Sequence, residues 1–340
     1  METVLQFEIA ITLFLQNLGL WLATPMKAFT FLGQEEFYLV IMPALYWCFS
    51  AIVGLRVAAI LLFSNVVNTF FKLLLLSPRP YWVDNRVAAM IGESSFGLPS
   101  GHAQNASSVW GMLAFNIQRK WFTAAMALVV LMIGLSRIYL GVHFTTDVIA
   151  GWAIGALLLI GMISFEKPAL AWFQRFSTLA QIGLVFISAL LMIALSLAPL
   201  AIFPDYQVPA DWEATALLAY PDEPINPLDP TGAFTVAGTW FGMAAGAAWM
   251  FSRRNGIDAS GPIWKRAARY LVGIIGVLAL YLGLGAIFPR EADLISYSLR
   301  FMRYTLIGLW VSMFAPLLFI KLKLMEPAVA KSIKKRGRRI

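Results

Sequence analysis

The chain has 340 residues, of which 60% are hydrophobic and 13% are charged, and its mean hydropathy is +0.74. These values lie far outside the range of water-soluble globular and disordered proteins, so the sequence predicts an integral membrane protein. The single cysteine excludes a disulfide-stabilised secreted scaffold, and the net charge of +8 is attributed to basic loops at a membrane surface, so no nucleic acid partner is expected.

Ten segments are apolar and long enough to be candidate transmembrane helices, which need about 20 mostly apolar residues. In chain order they are Phe7 to Leu22, Phe37 to Val53, Leu55 to Leu76, Gly101 to Ile117, Phe122 to Leu140, Phe144 to Phe165, Leu179 to Ile202, Phe234 to Phe251, Tyr270 to Phe288 and Thr305 to Ile320. The first contains Glu8, Gln16 and Asn17, so it either crosses the membrane or lies along its surface. The pattern predicts an all-α polytopic membrane protein.

The basic residues predict which loops face the cytoplasm. With ten crossings, 18 of the 26 Lys and Arg residues fall on the face that carries both termini. Because basic loops are retained in the cytoplasm, we expect both termini there, in a cell inner membrane. The opposite face carries residues 203–232, which are acidic, rich in proline and free of basic residues. We interpret this segment as a stiff, solvated extracytoplasmic loop.

The same loop predicts how the chain is divided. Residues 1–166 are expected to form a six-helix core, and residues 167–324 about four additional transmembrane helices that include the loop at 203–232. Residues 325–340 form a basic tail with six Lys and Arg residues. We interpret this tail as a cytoplasmic topology signal, with binding of anionic lipid as the alternative.

Polar residues form three clusters at helix ends on the sparsely basic face, where membrane proteins keep such residues for function. The first cluster contains Lys72 and Arg79, and seven residues make about two helical turns, so both cations can point the same way. The second is Pro99-Ser100-Gly101-His102 at the start of a helix. Ser100 is expected to be the N-cap there, and the free N–H groups can bind an anion.

The third cluster runs from Ser136 and Arg137 to His143 and Asp147. His143 and Asp147 are four residues apart at a helix start, so we expect a hydrogen bond between them. The chain has only two histidines, and both lie in these clusters. Three cations, a helix N-terminus and two imidazoles indicate a site for a tetrahedral oxyanion such as phosphate.

These clusters resemble the motifs of the type 2 phosphatidic acid phosphatase family, which read Lys-x6-Arg-Pro, Pro-Ser-Gly-His and Ser-Arg-x5-His-x3-Asp. Every position is occupied, by Lys72, Arg79, Pro80, Pro99, Ser100, Gly101, His102, Ser136, Arg137, His143 and Asp147. The resemblance covers about residues 37–165. It implies that the first six spans form the phosphatase core, and it leaves the role of the last four helices open.

The resemblance also implies a role for each residue. His143 would attack phosphorus to form a phosphohistidine, Asp147 would orient its ring, and His102 would protonate the leaving alcohol. The phosphate oxygens would be bound by Lys72, Arg79, Ser100, Gly101 and Arg137. This scheme needs no metal, and the clusters lack the paired carboxylates that hold magnesium. The expected activity is that of a metal-independent lipid phosphate phosphatase without a cofactor.

The motifs leave the substrate open among phosphatidic acid, lysophosphatidic acid, polyprenyl diphosphate, sphingoid base phosphates and phosphatidylglycerol phosphate. A phosphotransferase that uses an alcohol instead of water is one alternative. The run Arg79-Pro80-Tyr81-Trp82 is similar to the branch that acts on sugar phosphates. A lipid transporter or scaffold that retains the fold is an alternative of another class. The oligomeric state is left open, and Tyr81, Trp82 and Trp152 are interpreted as aromatic residues at the membrane interface.

Overall fold

The computed structural model describes residues 2–326 and residue 328, and its regular elements are helices. They are α1 (Glu2–Gln16), α2 (Ala23–Phe31), α3 (Glu35–Ala44), α4 (Ala51–Leu75), α5 (Pro80–Val83), α6 (Gly101–Asn105), α7 (Gly111–Ile117), α8 (Lys120–Tyr139), α9 (Thr145–Phe173), α10 (Thr178–Ile202), α11 (Ala210–Ala219), α12 (Thr231–Arg254), α13 (Ile263–Ile287), α14 (Leu294–Leu309) and α15 (Ala315–Lys321). Short 3-10 or π-helical turns are Leu20–Leu22, Leu45–Phe49, Ala106–Trp110 and Trp310–Phe314. The described residues contain no β-strand, in agreement with the predicted all-α class.

Six helical stretches among the described residues are long and apolar enough to cross a membrane. They are Ala51–Val83, Lys120–Tyr139, Thr145–Phe173, Thr178–Ile202, Ile263–Ile287 and Leu294–Lys321. A seventh is obtained only if Thr3–Gln16 and Leu20–Phe31 form one span, and a bend of 85° separates these two helices. The chain is therefore a multi-pass membrane protein.

The second, fourth and eighth predicted spans are helical but do not meet the same criterion. The helical stretches around the second and the fourth are shorter than 18 residues, and the second ends at Phe49 before the extended residue Ser50. The eighth, α12, has 24 residues but is rich in glycine and alanine and is therefore less apolar.

The small residues of α12 serve helix packing. Gly238, Gly242 and Gly246 recur every four residues on one face of the helix. A Cβ atom on Gly238 or Gly242 would collide with the backbone carbonyl of Phe301 or Thr305 in α14. Small residues at this spacing let two helix backbones approach closely within a membrane.

Two compact units make up the described chain, and their limits differ from the predicted division at residue 166. Unit 1 contains the residues up to Tyr38 together with Phe63–Ile163 and Leu195–Pro230. Unit 2 contains Leu39–Leu62, Ser164–Ala194 and the residues from Thr231 onwards. The segment at 203–230 thus belongs to the unit that contains the three polar clusters. The predicted basic tail lies outside the described residues from position 329 onwards.

The polar residues of α1 contact other parts of unit 1. Glu8 is 7% exposed, and its carboxylate accepts hydrogen bonds from the N–H and the hydroxyl of Thr146, at 3.3 and 3.2 Å. The Gln16 amide donates to the carbonyls of Ala88 and Tyr139, at 2.8 and 3.0 Å. Glu8 and Gln16 therefore form hydrogen bonds with protein. These contacts explain the polar residues of α1 without requiring the helix to lie along a membrane surface.

The acidic segment packs on the loop between α5 and α6, residues 84–100, and on α5 itself. The Trp212 ring lies 6.3 Å from the Trp82 ring, and the Tyr206 ring lies 6.1 Å from the Phe96 ring, as measured between centroids. All six acidic residues of the segment are exposed, as expected for a solvated loop. Its apolar residues, however, belong to the core of unit 1.

The interpretation of Tyr81 and Trp82 as interfacial residues is wrong. They are 1% and 0% exposed, and the Tyr81 hydroxyl donates to the carbonyl of Glu93 at 2.9 Å. Pro80 begins α5, where its missing N–H has no cost, and this short helix turns both rings into the core. The aromatic pair therefore supports the loop that follows it.

Glycines of α9 set its contact with α6. A Cβ atom on Gly151 would lie 2.6 Å from the carbonyl oxygen of Ser100. A Cβ atom on Gly155 would collide with the carbonyl of Gln104 and the hydroxyl of Ser107. The second and third polar clusters lie at the starts of these two helices, so this contact fixes their separation.

We expect Gly155→Ala to destabilise the protein by about 1 to 3 kcal/mol, because the added methyl group overpacks the α6–α9 contact. Gly161→Ala is the matched control. Gly161 lies on the same helix, and a Cβ atom there would have no neighbouring atom within 4 Å. Thermal unfolding of both variants in one detergent measures the difference. Equal melting temperatures would contradict the described packing.

Candidate active site

Arg79 connects the first cluster to the third. Its side chain is fully buried. Its guanidinium donates to the carbonyls of Ser95, Phe96 and Val142 at 2.6, 3.2 and 2.8 Å. Because the guanidinium is a rigid planar fork, these three bonds fix the direction of its remaining N–H groups. One of these groups points at His143.

His143 lies between Arg79 and Asp147. Its Nε2 is 3.1 Å from Arg79 Nη1, and its Nδ1 is 3.2 Å from Asp147 Oδ2, which agrees with the predicted i to i+4 hydrogen bond. A guanidinium only donates and a carboxylate only accepts, so a neutral ring with its proton on Nδ1 satisfies both partners. Burial lowers the pKa of His143, and the charges of Arg79 and Arg137 lower it further. The lone pair of Nε2 therefore faces the cations.

Asp147 joins the second and third clusters. Its Oδ2 also accepts the N–H of Phe144 at 3.0 Å, which caps the start of α9. Its backbone carbonyl accepts the N–H of Ser100 at 3.0 Å. Asp147 is 1% exposed, so its geometry is set by the protein and not by solvent. Capping the helix and orienting the His143 ring are thus done by the same carboxylate.

Glu93 is a site residue that the motifs did not indicate. Its Oε2 accepts a hydrogen bond from Arg79 at 3.3 Å, and its Oε1 accepts one from Arg137. Burial alone would raise the pKa of Glu93, but the guanidiniums of Arg137 and Arg79 outweigh it and hold that pKa well below its usual range. The ionised carboxylate bridges two guanidiniums, as two phosphate oxygens also can.

Ser95 and Thr30 were also missed by the sequence motifs. The Ser95 hydroxyl accepts from Lys72 Nζ at 2.7 Å and from Arg79 Nη2 at 3.1 Å, so the two cations of the first cluster do meet, as predicted. The Thr30 hydroxyl, near the end of α2, accepts from Arg137 Nη1 at 2.6 Å. Neither hydroxyl is distinguishable in sequence from many other serines and threonines of the chain. Only the need of buried cations for acceptors indicates that such partners exist.

Three of the predicted residues present buried polar atoms that have no hydrogen-bond partner within the described chain. They are Ser100 Oγ, His102 Nε2 and Arg137 Nε. Ser100 occupies the N-cap of α6 as predicted, but its hydroxyl makes no capping hydrogen bond. A Cβ atom on Gly101 would lie 3.0 Å from Asn68 Oδ1, so a larger residue would crowd this turn. Buried polar atoms normally have partners, so these three atoms are available to a polar ligand.

The arrangement can bind and attack a tetrahedral oxyanion. Lys72, Arg79 and Arg137 supply positive charge, and the neutral ring of His143, held by Asp147, offers a nitrogen lone pair. Ser100 is bonded to Asp147 through its backbone, and His102 lies two residues further along the chain. The predicted residues therefore lie around one buried site, with Glu93 between its guanidiniums.

Comparisons with known proteins give two matches to family models. Residues 53–171 match the PAP2 superfamily, and residues 234–327 match the PAP2 superfamily phosphatase, transmembrane extension. The first range contains all three motif clusters. Residues 172–233, which include the acidic segment, lie outside both ranges.

Individual proteins are similar over part of their length. Phosphatidylglycerophosphatase B of Bacillus subtilis is 29% identical over 168 residues, which cover 46% of this chain and 80% of that protein. Human glucose-6-phosphatase 3 is 31% identical over 183 residues, 46% of this chain, and the match spans about half (53%) of its length. A crystal structure of a transmembrane PAP2 type phosphatidylglycerolphosphate phosphatase from Bacillus subtilis is 26% identical, with a TM-score of 0.43, over 49% of this chain and 88% of that one.

We expect Glu93→Gln to bind inorganic phosphate roughly tenfold more tightly than the unaltered protein, because an ionised group that competes for the same N–H donors is removed. Asp84→Asn is the control, since Asp84 lies in the same loop but pairs with the exposed Arg86. Calorimetric titration of inorganic phosphate into the purified protein measures both affinities. Weaker phosphate binding by Glu93→Gln would mean that Glu93 supports the anion site instead of competing for it.

Proposed function

The chain belongs to the PAP2 superfamily, and from this premise we propose that it hydrolyses lipid phosphate monoesters or diphosphates through a phosphohistidine intermediate. One observation carries the proposal. The ring of His143 is held by Asp147 at 3.2 Å, and its Nε2 lies 3.1 Å from Arg79 Nη1. A neutral imidazole whose free lone pair faces a cationic site is suited to attack phosphorus.

In the first step, His143 Nε2 forms a bond to phosphorus while the bond from phosphorus to the leaving oxygen breaks. The contact between Nε2 and Arg79 Nη1 is lost as the new bond forms, and the released N–H group becomes available to a phosphoryl oxygen. Asp147 keeps the Nδ1 proton and stabilises the ring as it becomes positive. The same arginine therefore orients the nucleophile first and stabilises the transition state afterwards.

His102 is proposed to move the protons. Burial and the charge of Arg137 lower the pKa of His102, so we propose that it takes up a proton when the phosphate dianion is bound. It donates that proton to the leaving oxygen in the first step, so that an alcohol and not an alkoxide departs. In the second step it accepts a proton from the water that attacks the phosphohistidine, and inorganic phosphate is released. Its Nε2 is buried and has no partner in the described chain, which leaves it available to substrate.

The phosphoryl oxygens are proposed to be bound by Lys72, Arg79, Arg137, the Ser100 hydroxyl and the Gly101 N–H. Phosphoryl transfer is catalysed mainly by positioning and by positive charge around these oxygens. Two guanidiniums and an ammonium provide that charge without a metal ion, so we infer that the reaction is metal-independent.

The substrate class is inferred from the setting of the site. Lys72 and Arg137 lie near the ends of the membrane-spanning helices α4 and α8, and Asp147 lies near the start of α9, where the headgroup of a lipid can reach them. The Bacillus relative is named for activity on phosphatidylglycerophosphate, and the human relative for activity on glucose 6-phosphate. We propose a lipid substrate, with phosphatidylglycerol phosphate as the first to test. Transfer to an alcohol, or a transporter or scaffold without catalysis, are the competing functions.

Phosphate release by the purified protein in mixed micelles tests this function. We expect turnover of phosphatidylglycerol phosphate or another lipid phosphate that persists in excess EDTA, because no step uses a metal ion. Glucose 6-phosphate and added short-chain alcohols are included to detect the sugar-phosphate and phosphotransferase alternatives. Absence of phosphate release from every lipid, by protein that is folded, would favour a transporter or scaffold.

The two histidines should respond differently to the leaving group. His143→Ala should abolish turnover of every ester, because no phosphoenzyme forms without Nε2. His102→Ala should be severe for lipid alcohols and milder for p-nitrophenyl phosphate, whose phenolate leaves without a proton. Labelled substrate followed by an alkaline quench should trap label on the unaltered protein and none on His143→Ala. The opposite pattern with the activated ester would exchange the two roles.

We further propose that the site faces away from the cytoplasm and that both termini are cytoplasmic. The proposal takes the ten crossings predicted from the sequence, for which 18 of the 26 Lys and Arg residues fall on the face of the termini. It is also supported by the contact of the acidic segment with the loop at residues 84–100 within unit 1. In a Cys48→Ser background, a cysteine at Asp222 should react with an impermeant maleimide in intact cells. Reaction only after permeabilisation would reverse the orientation.

A further inference from the structure

Three arginines lie close together in unit 2, where no catalytic residue has been placed. Arg303 donates from Nη2 to the carbonyl of Tyr281 at 2.6 Å, and its guanidinium lies 4.6 and 5.3 Å from the ring centroids of Tyr281 and Tyr304. Arg300 lies over the same Tyr304 ring at 5.7 Å. Two cations therefore share one aromatic ring.

Arg290 reaches the same place from the connection between α13 and α14. It donates to the carbonyl of Gly285 at 3.1 Å. A Cβ atom on Gly285 would lie 2.8 Å from Arg303 Nη2, so the Arg303 guanidinium lies directly against this glycine. Gly285 is thus the point at which Arg290 and Arg303 meet.

Within the described residues, none of these arginines forms an ion pair with a carboxylate. Arg300 has a hydroxyl partner, Thr235 Oγ1, at 2.7 Å, and the Nε of Arg303 is buried without a partner. Asp293 is near in sequence, but it accepts the N–H of Ser296 at 2.7 Å and caps α14. The cluster keeps a net positive charge and at least one unsatisfied N–H group.

The position along α14 matches the level of lipid phosphates. After Arg303 the sequence is free of charge from Tyr304 to Ile320, and 17 helical residues span about 25 Å, close to the hydrocarbon thickness. Lys321 marks the other end of this run. Arg300 and Arg303 therefore lie at one boundary of the apolar layer, and cations so placed in a membrane helix are costly unless they have a use.

Apolar side chains flank the arginines on the outside of the helices. Ile287 and Leu282 of α13 are 76% and 63% exposed. In a membrane protein, exposed aliphatic side chains at this depth contact acyl chains. If the anion held by the arginines is a lipid phosphate, its acyl chains would contact this apolar surface. A soluble anion has no acyl chains and would make no such contact.

We propose that Arg290, Arg300 and Arg303 bind the phosphate group of an anionic membrane lipid. The guanidiniums provide the charge-assisted donors, including the orphan Nε of Arg303. Tyr281 and Tyr304 hold two of the guanidiniums in place by cation–π contact. The site contains none of the proposed catalytic residues, and its existence does not depend on the proposed hydrolysis.

Native mass spectrometry of the full-length protein, titrated with phosphatidylglycerol, tests the proposal without any catalytic readout. We expect one retained lipid that is bound roughly tenfold more weakly by Arg300→Gln/Arg303→Gln, given the strength of charge-assisted hydrogen bonds. Arg290→Gln changes an exposed side chain and so keeps the fold, and it should also weaken binding. Arg254→Gln, at the far end of α12, is the control and should bind like the unaltered protein.

The competing outcomes are distinct. Equal retention of phosphatidylcholine and phosphatidylglycerol, or unchanged phosphatidylglycerol affinity in Arg290→Gln, would overturn the proposal. Displacement of the lipid by millimolar inorganic phosphate would overturn it in favour of a soluble-anion site. If the double variant fails to fold, Gly285→Ala replaces it, because the added methyl group displaces the Arg303 guanidinium without removing its charge. Weaker lipid retention by Gly285→Ala supports the site.

Discussion

The carboxylate of Glu93 between Arg79 and Arg137 is the interaction on which the site depends. Two fully buried guanidiniums repel one another and need a counter-charge, and breaking such a buried network costs about 3 to 5 kcal/mol. Arg79 in turn binds the carbonyls of Ser95 and Phe96 in the loop at residues 84–100 and that of Val142, and it reaches the His143 ring. The His143 ring and the cations are therefore already oriented within the described chain, and in the proposed mechanism a substrate phosphate replaces Glu93 between the guanidiniums.

The sequence predicted the members of this site better than its contacts. The spacing of His143 and Asp147 is local, so a helix start was sufficient to predict their hydrogen bond. Glu93, Ser95 and Thr30 became recognisable only in the fold, because their partners lie on other segments of the chain. Ser100 shows a different limit of the sequence. Its position at the N-cap was predicted correctly, but its hydroxyl makes no capping hydrogen bond, because a serine at this position can equally direct its hydroxyl towards a ligand.

Counting apolar segments predicted more spans than the length and hydropathy of the helices support. The helix that begins at Gly101 carries Gln104, Asn105 and Ser108, which are buried and form hydrogen bonds within unit 1. In α12, glycines replace larger apolar residues because α14 lies against them. These two helices fail the length and hydropathy criterion because a helix that packs against protein can carry polar or small residues on the packed face.

Residues 195–230 pack on the loop at residues 84–100, so this loop is complete in its contacts only after a later part of the chain has been synthesised. The Asn226 N–H donates to the Ser94 carbonyl at 3.0 Å, and Trp212 covers Trp82. All motif residues leave the ribosome before this segment, since the last of them is Asp147. A nascent chain that stops after α9 would contain the complete chemistry but would leave Trp82 and Phe96 uncovered. The enzyme therefore acquires its full support only after α10 and α11 have been synthesised.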